Sequence, residues 1–120
     1  MKPLAAALLL FCATSVAAQI KAVSPKSADK SPNTLGSPGV LADGYLYVSG
    51  QGPRRADGSL PPDTAGQIRQ ALDNVKAVVE SAALTMDHVV YLQIYLEDIT
   101  ASAEVNKVFA EYFPNAPPAR

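Results

Sequence analysis

The chain is short of the residues that most enzymes use for chemistry. Among its 120 residues there is one cysteine, Cys12, one histidine, His88, and no tryptophan. A lone cysteine rules out an internal disulfide framework, and a lone histidine removes both a His cluster for a transition metal and a Ser/His/Asp triad. An excess of basic side chains is missing too, since the formal net charge is −1. Long apolar runs are also absent: no segment reaches the ~20 residues needed to cross a hydrocarbon layer of about 30 Å.

What is present begins with a targeting pattern. Lys2 supplies a positive start, Leu4 to Ala13 an apolar stretch of h-region length, and Val16-Ala17-Ala18 a small-residue cleavage site. Residues 1–18 therefore read as a cleaved secretory signal. The expected mature protein is secreted or periplasmic, has no membrane attachment after cleavage, and loses Cys12 with the signal. Residues 19–34 are rich in Ser, Lys, Ala and Pro without a sustained hydrophobic period and read as a disordered linker. Residues 35–120 remain as one domain, holding six basic and ten acidic side chains. Nucleic-acid binders gain most of their affinity by neutralising phosphates with basic groups, so this balance argues against DNA or RNA as a partner.

Turn chemistry organises the domain. Asp43-Gly44, between Val40-Leu41-Ala42 and Tyr45-Leu46-Tyr47-Val48, predicts a type I′ hairpin. Ser49 to Pro53 ends the second strand, and Ala56 to Ser59 followed by Pro61-Pro62 reads as an exposed loop. A helix is expected from Thr64, with Thr64 and Gln67 at capping-box spacing, and Ile68, Leu72, Val75, Val79 and Ala82 form its apolar stripe. From His88 to Leu96 alternate residues are apolar, which predicts a strand with unequal faces. A second amphipathic helix over Ser102 to Phe113 buries Val105, Val108, Phe109 and Tyr112, and Pro114 ends it. The order is strand, strand, helix, strand, helix. Right-handed crossover would place the strand ending at Ser49 parallel to the one from His88.

Several of these segments carry a resemblance. Ser37-Pro38, Tyr45 to Gln51, Gln67 to Glu80, Val105-Asn106 and Pro118-Ala119-Arg120, in this order, resemble the RidA (YjgF) family of reactive-intermediate deaminases. The resemblance spans Leu35 to Arg120. It implies an α+β, chorismate-mutase-like mixed sheet with two helices on one face, assembled as a homotrimer with clefts between subunits. It also implies hydrolysis of 2-enamines and 2-imines, such as 2-aminoacrylate, to 2-keto acids and ammonia, with neither metal nor organic cofactor.

The resemblance assigns substrate-binding roles to three positions. Arg120 would grip the substrate carboxylate, since a guanidinium can hold one by two parallel hydrogen bonds. Ser49 would line the cleft, and Asn106 would stand near it. Read as residues alone, Arg120 is equally a solvated arginine, Ser49 a strand-end serine bonded to nearby backbone, and Asn106 a helix-surface hydrogen-bonder. Two departures from the family pattern stand out. Gly36 occupies a position that is often aromatic, and the chain ends at Arg120, before the last strands and the water-activating carboxylate. The expectation is thus a C-terminally incomplete domain in which no catalytic residue is assigned. Asp98, Glu104 and Glu111 read as surface charges, and the Arg54-Arg55 pair as solvated. Three functional readings follow: an imine deaminase, a non-catalytic trimeric small-carboxylate binder or inactive fragment, and an endoribonuclease, the last disfavoured by the acidic domain.

Overall fold

The hairpin turn behaves as its sequence requires. In this computed structural model, which describes residues 19–28 and 35–120, Asp43 and Gly44 both adopt left-handed backbone, with φ of 50° and 79°. Positive φ at both central positions is the type I′ signature, whose twist suits two antiparallel strands. Strands β2 (Gly39–Ala42) and β3 (Tyr45–Val48) pair from Ala42↔Tyr45 to Gly39↔Val48. The expected signal segment, residues 1–18, lies outside the described residues.

The expected linker is partly a strand. Lys21–Val23 forms β1 and pairs antiparallel with β2, Val23 opposite Gly39, giving the order β1-β2-β3. Three residues are too few to display a period of two, so sequence patterning passed over them. What holds β1 is distant in sequence. Gly39 has no Cβ, and an ideal one would lie 2.8 Å from Val78 Cγ1 and 3.0 Å from Val23 Cγ2. The missing methyl lets Val23 and Val78 close over the β2 backbone, and both are buried.

Helix α1 (Thr64–Ser81) is capped one residue before the predicted cap. Asp63 is the N-cap, its carboxylate accepting from the Gly66 N–H at 2.8 Å. Gln67 turns back instead to the Pro61 carbonyl at 3.0 Å. A carboxylate is a better partner for the positive helix start than a threonine hydroxyl, and Asp63 is preceded by prolines that cannot extend the helix. At the other end Ala83 takes a left-handed φ of 59°, and the Ala83 and Leu84 N–H groups close on Glu80 and Val79 carbonyls. This is a left-handed helix stop of the kind that usually employs glycine.

A short 3-10 turn, Met86–His88, leads into the segment predicted as a strand. From Tyr91 to Leu96 burial alternates as expected, with Leu92, Ile94 and Leu96 inward and Tyr91, Gln93 and Tyr95 outward. Its backbone partner differs from the prediction. This segment does not join β3; it forms a parallel bridge, Tyr91↔Ala119, with Leu92 N–H on the Ala119 carbonyl at 2.9 Å and Ala119 N–H on the Val90 carbonyl at 3.1 Å. Alternation identifies the buried face and is silent about which neighbour takes the hydrogen bonds.

After a turn capped by Asp98, helix α2 (Ser102–Tyr112) packs beside α1. Both helices cover the same side of the sheet. Leu72, Val79, Met86, Val108, Phe109 and Phe113 form the core, with Leu46, Val48, Leu92 and Ile94 packed against it. The class is α+β, with two helices over an antiparallel sheet. Outside the core, Arg69 grips Glu111 with two hydrogen bonds, at 2.7 and 3.0 Å, and the Tyr112 hydroxyl donates to Asp73 at 2.7 Å. These pairs join α1 to α2. The opposite face of the sheet leaves Tyr45 and Tyr47 exposed, their rings 6.5 Å apart.

Candidate functional site

Arg120 is positioned by three neighbours rather than by one. The bridge at Ala119 sets its backbone beside the Tyr91 segment. Its Nη1 donates to the Asn106 side-chain oxygen at 2.9 Å, and its guanidinium carbon sits 4.6 Å from the centroid of the Phe109 ring. Asn106 and Phe109 are three residues apart on α2, so they rise from adjoining parts of one helix face. Phe109 is itself immobilised in the core against Phe113, at a ring-centroid distance of 4.5 Å. A guanidinium laid on a buried ring and bonded at one nitrogen keeps its remaining N–H groups for another acceptor.

That acceptor has a place to sit. A cleft of about 400 Å³ opens beside Arg120, between the Tyr91–Leu96 segment and the first turns of α2. Tyr91, Gln93 and Ser102 supply polar groups to it, Ile94, Leu96 and Val105 supply apolar surface, and Asn106 and Arg120 stand together at its edge. Among the described residues Arg120 is the one charged side chain in this lining, and no acidic side chain joins it. The cleft therefore favours an anion and offers apolar surface next to it.

Two of the three sequence-predicted positions are thus brought together, and one is not. Ser49 lies at the end of β3 and does not line this cleft. Its hydroxyl donates to the Pro38 carbonyl at 3.0 Å and accepts from Gln51 Nε2 at 3.1 Å, closing the β2-β3 hairpin at its open end. Gly36 is exposed, and nothing lies within 4 Å of where its Cβ would be.

The residues read as ordinary surface groups behave so. Asp98 caps a turn through Thr100, Glu104 pairs with Lys107 at 3.6 Å, and Glu111 is taken by Arg69. Arg54 and Arg55 bond inside their own loop, to the Gly58 carbonyl and the Ser59 hydroxyl. His88 turns its Nδ1 back onto the Thr85 N–H at 3.1 Å. Among the described residues no three His, Cys, Asp or Glu side chains converge as a metal site would require. No helix among them is long and apolar enough to cross a membrane.

Sequence reasoning missed Phe109 and Ser102 as site residues. Phe109 belonged to the apolar stripe and gave no sign that a cation would lie over its ring. Ser102 could have been found, because it precedes Asn106 by four residues and must share its helix face.

The two-helix α+β domain, with an arginine held at the edge of a cleft, has counterparts among known proteins. The family model described as Endoribonuclease L-PSP matches residues 29–120, and the chain belongs to that family. Its structural relatives are RidA/YjgF proteins. The YjgF gene product of E. coli is 35% identical with a TM-score of 0.75, the match covering 83% of this chain and 81% of that one. The Rid-family protein YyfA of Yersinia pestis is 34% identical with a TM-score of 0.77, over 85% and 82%. Yeast Mmf1 is 29% identical at the same TM-score, 0.77, again over 85% and 82%.

Proposed function

We propose that this protein binds 2-imino and 2-enamino acids by their carboxylate and hydrolyses them to 2-keto acids and ammonia. The observation that carries this reading is Arg120, fixed by Asn106 and Phe109 at the edge of a cleft without any competing charge. Two N–H groups of the guanidinium would hold the carboxylate, leaving C2 of the imine inside the cleft. An enamine first gains a proton at C3 and loses one from nitrogen, which makes it the imine; water then adds its oxygen to C2 while a proton passes to the nitrogen. Collapse of that carbinolamine forms the keto C=O bond and breaks the C–N bond, and ammonia leaves. The imine carbon is electrophilic enough that orientation is the main requirement, which suits a cleft with few reactive groups. The homotrimer implied by family membership is part of this reading, and Ser49 would reach a cleft only across such an interface.

A second reading is supported by the absence of a carboxylate among the cleft-lining residues. A general base must stand within hydrogen-bond reach of the attacking water, and none of these side chains is a strong one. A protein that holds small carboxylates without turning them over fits that lining. RNA cleavage is disfavoured on the charge of residues 35–120. Export, proposed from the signal pattern of residues 1–18, would put the substrate outside the cytoplasm.

Ammonia release from an imine generated in the cuvette distinguishes the two. The wild type should exceed the spontaneous rate, and Arg120→Ala should lower kcat/KM by about tenfold to a hundredfold, the worth of a charge-assisted pair. Keto-acid binding with no acceleration would establish the binder instead.

A further inference from the structure

We infer that His88 is a pH-sensitive latch on the connection between α1 and the Tyr91–Leu96 segment, closed while its ring is neutral and open once the ring is protonated. The connection turns on Thr85. The His88 N–H donates to the Thr85 carbonyl at 3.0 Å, and in return the Thr85 N–H donates to His88 Nδ1 at 3.1 Å. Glutamate or glutamine usually takes the second part in such a turn, and either accepts a hydrogen bond at neutral and mildly acidic pH. Imidazole accepts only through a nitrogen that carries no proton. A backbone N–H can only donate, so Nδ1 keeps its lone pair and the single ring proton sits on Nε2. The Thr85 hydroxyl, 2.9 Å from the same nitrogen, then donates to it as well.

Protonation reverses this geometry. Nδ1 becomes a donor facing a donor, and the ring must swing toward Thr85 Oγ1 or out into water, since His88 and Thr85 are both exposed. Met86 anchors the turn in the core, so the opening is local. Strain favours it, because the turn follows Ala83, whose left-handed φ of 59° is unfavourable for alanine. No stronger charge governs the ring. Among the described residues no carboxylate is within ion-pair reach of it, and Asp87 beside it is exposed. Lys76 and Glu80, in the last turns of α1, pair with each other at 3.8 Å, and the extended segment brings only tyrosines. Two residues after His88, the Val90 carbonyl takes the Ala119 N–H, and the Leu92 N–H meets the Ala119 carbonyl. The latch thus stands directly before the bridge that places Arg120, and it acts with or without a ligand there.

Nuclear magnetic resonance of the full chain, labelled with nitrogen-15 and purified without a histidine tag, tests this. His88 is the one histidine, so its ring signals belong to no other residue. At about pH 8 the ring should carry its proton on Nε2. Between about pH 8 and pH 5, where histidine side chains ordinarily change charge, protection of the Thr85 N–H from hydrogen exchange should fall about threefold to tenfold after correction for intrinsic rates, the worth of one cap. The Leu92 and Ala119 N–H groups should follow. His88→Gln supplies an acceptor at both pH values and should abolish the loss. Should that variant fail to fold, the wild-type tautomer and Thr85 protection decide by themselves. A proton on Nδ1 at the higher pH, or Thr85 protection that ignores pH, would overturn the latch. Loss at Thr85 with none at Leu92 and Ala119 would overturn its reach to the bridge.

Discussion

At Gly39 the sheet lies directly against Val78 of the long helix, and a single methyl there should be felt throughout the fold. In Gly39→Ala the new Cβ would lie 2.8 Å from Val78 Cγ1, 3.0 Å from Val23 Cγ2 and 3.2 Å from Leu46 Cδ1. Carbon atoms pack best at about 3.5–4.0 Å, so three side chains must retreat together. Val78 cannot turn aside, because it is 1% exposed and β-branched within a helix, where one χ1 rotamer dominates. Overpacking of this kind costs about 1–3 kcal/mol. Alanine recovers roughly 0.5–1 kcal/mol by restricting the unfolded chain, which leaves a net loss of about 1–2 kcal/mol. For a domain of this size that is a fall in Tm of roughly 5–15 °C. Thermal unfolding followed by circular dichroism reads it directly. Val78→Ala, added to Gly39→Ala, should cost about 1 kcal/mol less than it does in the wild type, because the cavity it opens accepts the new methyl. A Gly39→Ala protein as stable as the wild type, with no coupling to Val78, would refute the close approach.

Other substitutions probe the remaining claims. Asp63→Ala should lose about 1 kcal/mol in urea unfolding and Thr64→Ala only a few tenths, which checks which residue caps α1. Ala83→Gly should raise stability by about 0.5–1 kcal/mol in the same assay, since alanine holds a left-handed φ of 59° that glycine adopts freely. Two hydrogen bonds from Arg69 hold the Glu111 carboxyl below its ordinary value, so its contribution is present above the normal carboxylate range and fades as pH falls through the lowered value. Glu111→Gln should flatten that acid limb in a Tm-versus-pH series. Burial, then the hydrogen bond to Asp73, push the Tyr112 hydroxyl up, so its contribution is present below the ordinary tyrosine value and fades as pH rises through the raised one. Tyr112→Phe should weaken the alkaline limb.

Much of the fold was legible because local patterns were strong. The Asp43-Gly44 hairpin needed two positive φ values, which few residues supply, and the two amphipathic stripes fell within a residue or two of the observed helices. The family, too, could be read from segments such as Gln67 to Glu80 and Pro118-Ala119-Arg120. β1 was not legible, because three residues carry no period and their partner lies beyond an intervening segment. The neighbour of the Tyr91–Leu96 segment was not legible either, since hydrogen-bond pairing leaves no trace in hydrophobic alternation.

The sequence alone determined the hairpin, the two helices and the shortage of histidine and cysteine, because composition, turn dipeptides and helical spacing are local properties, and its resemblance to a family pointed to the fold class and the candidate arginine. Tertiary structure alone decided what that arginine touches. Ala119 must pair with Tyr91 before Arg120 can face α2, and only then do Asn106 and Phe109, both on a helix chosen for its apolar stripe, become its partners. Ser49, by contrast, was drawn to the Pro38 carbonyl at the hairpin's open end. Contacts between residues far apart in the chain depend on how elements pack, and no spacing within either element encodes them.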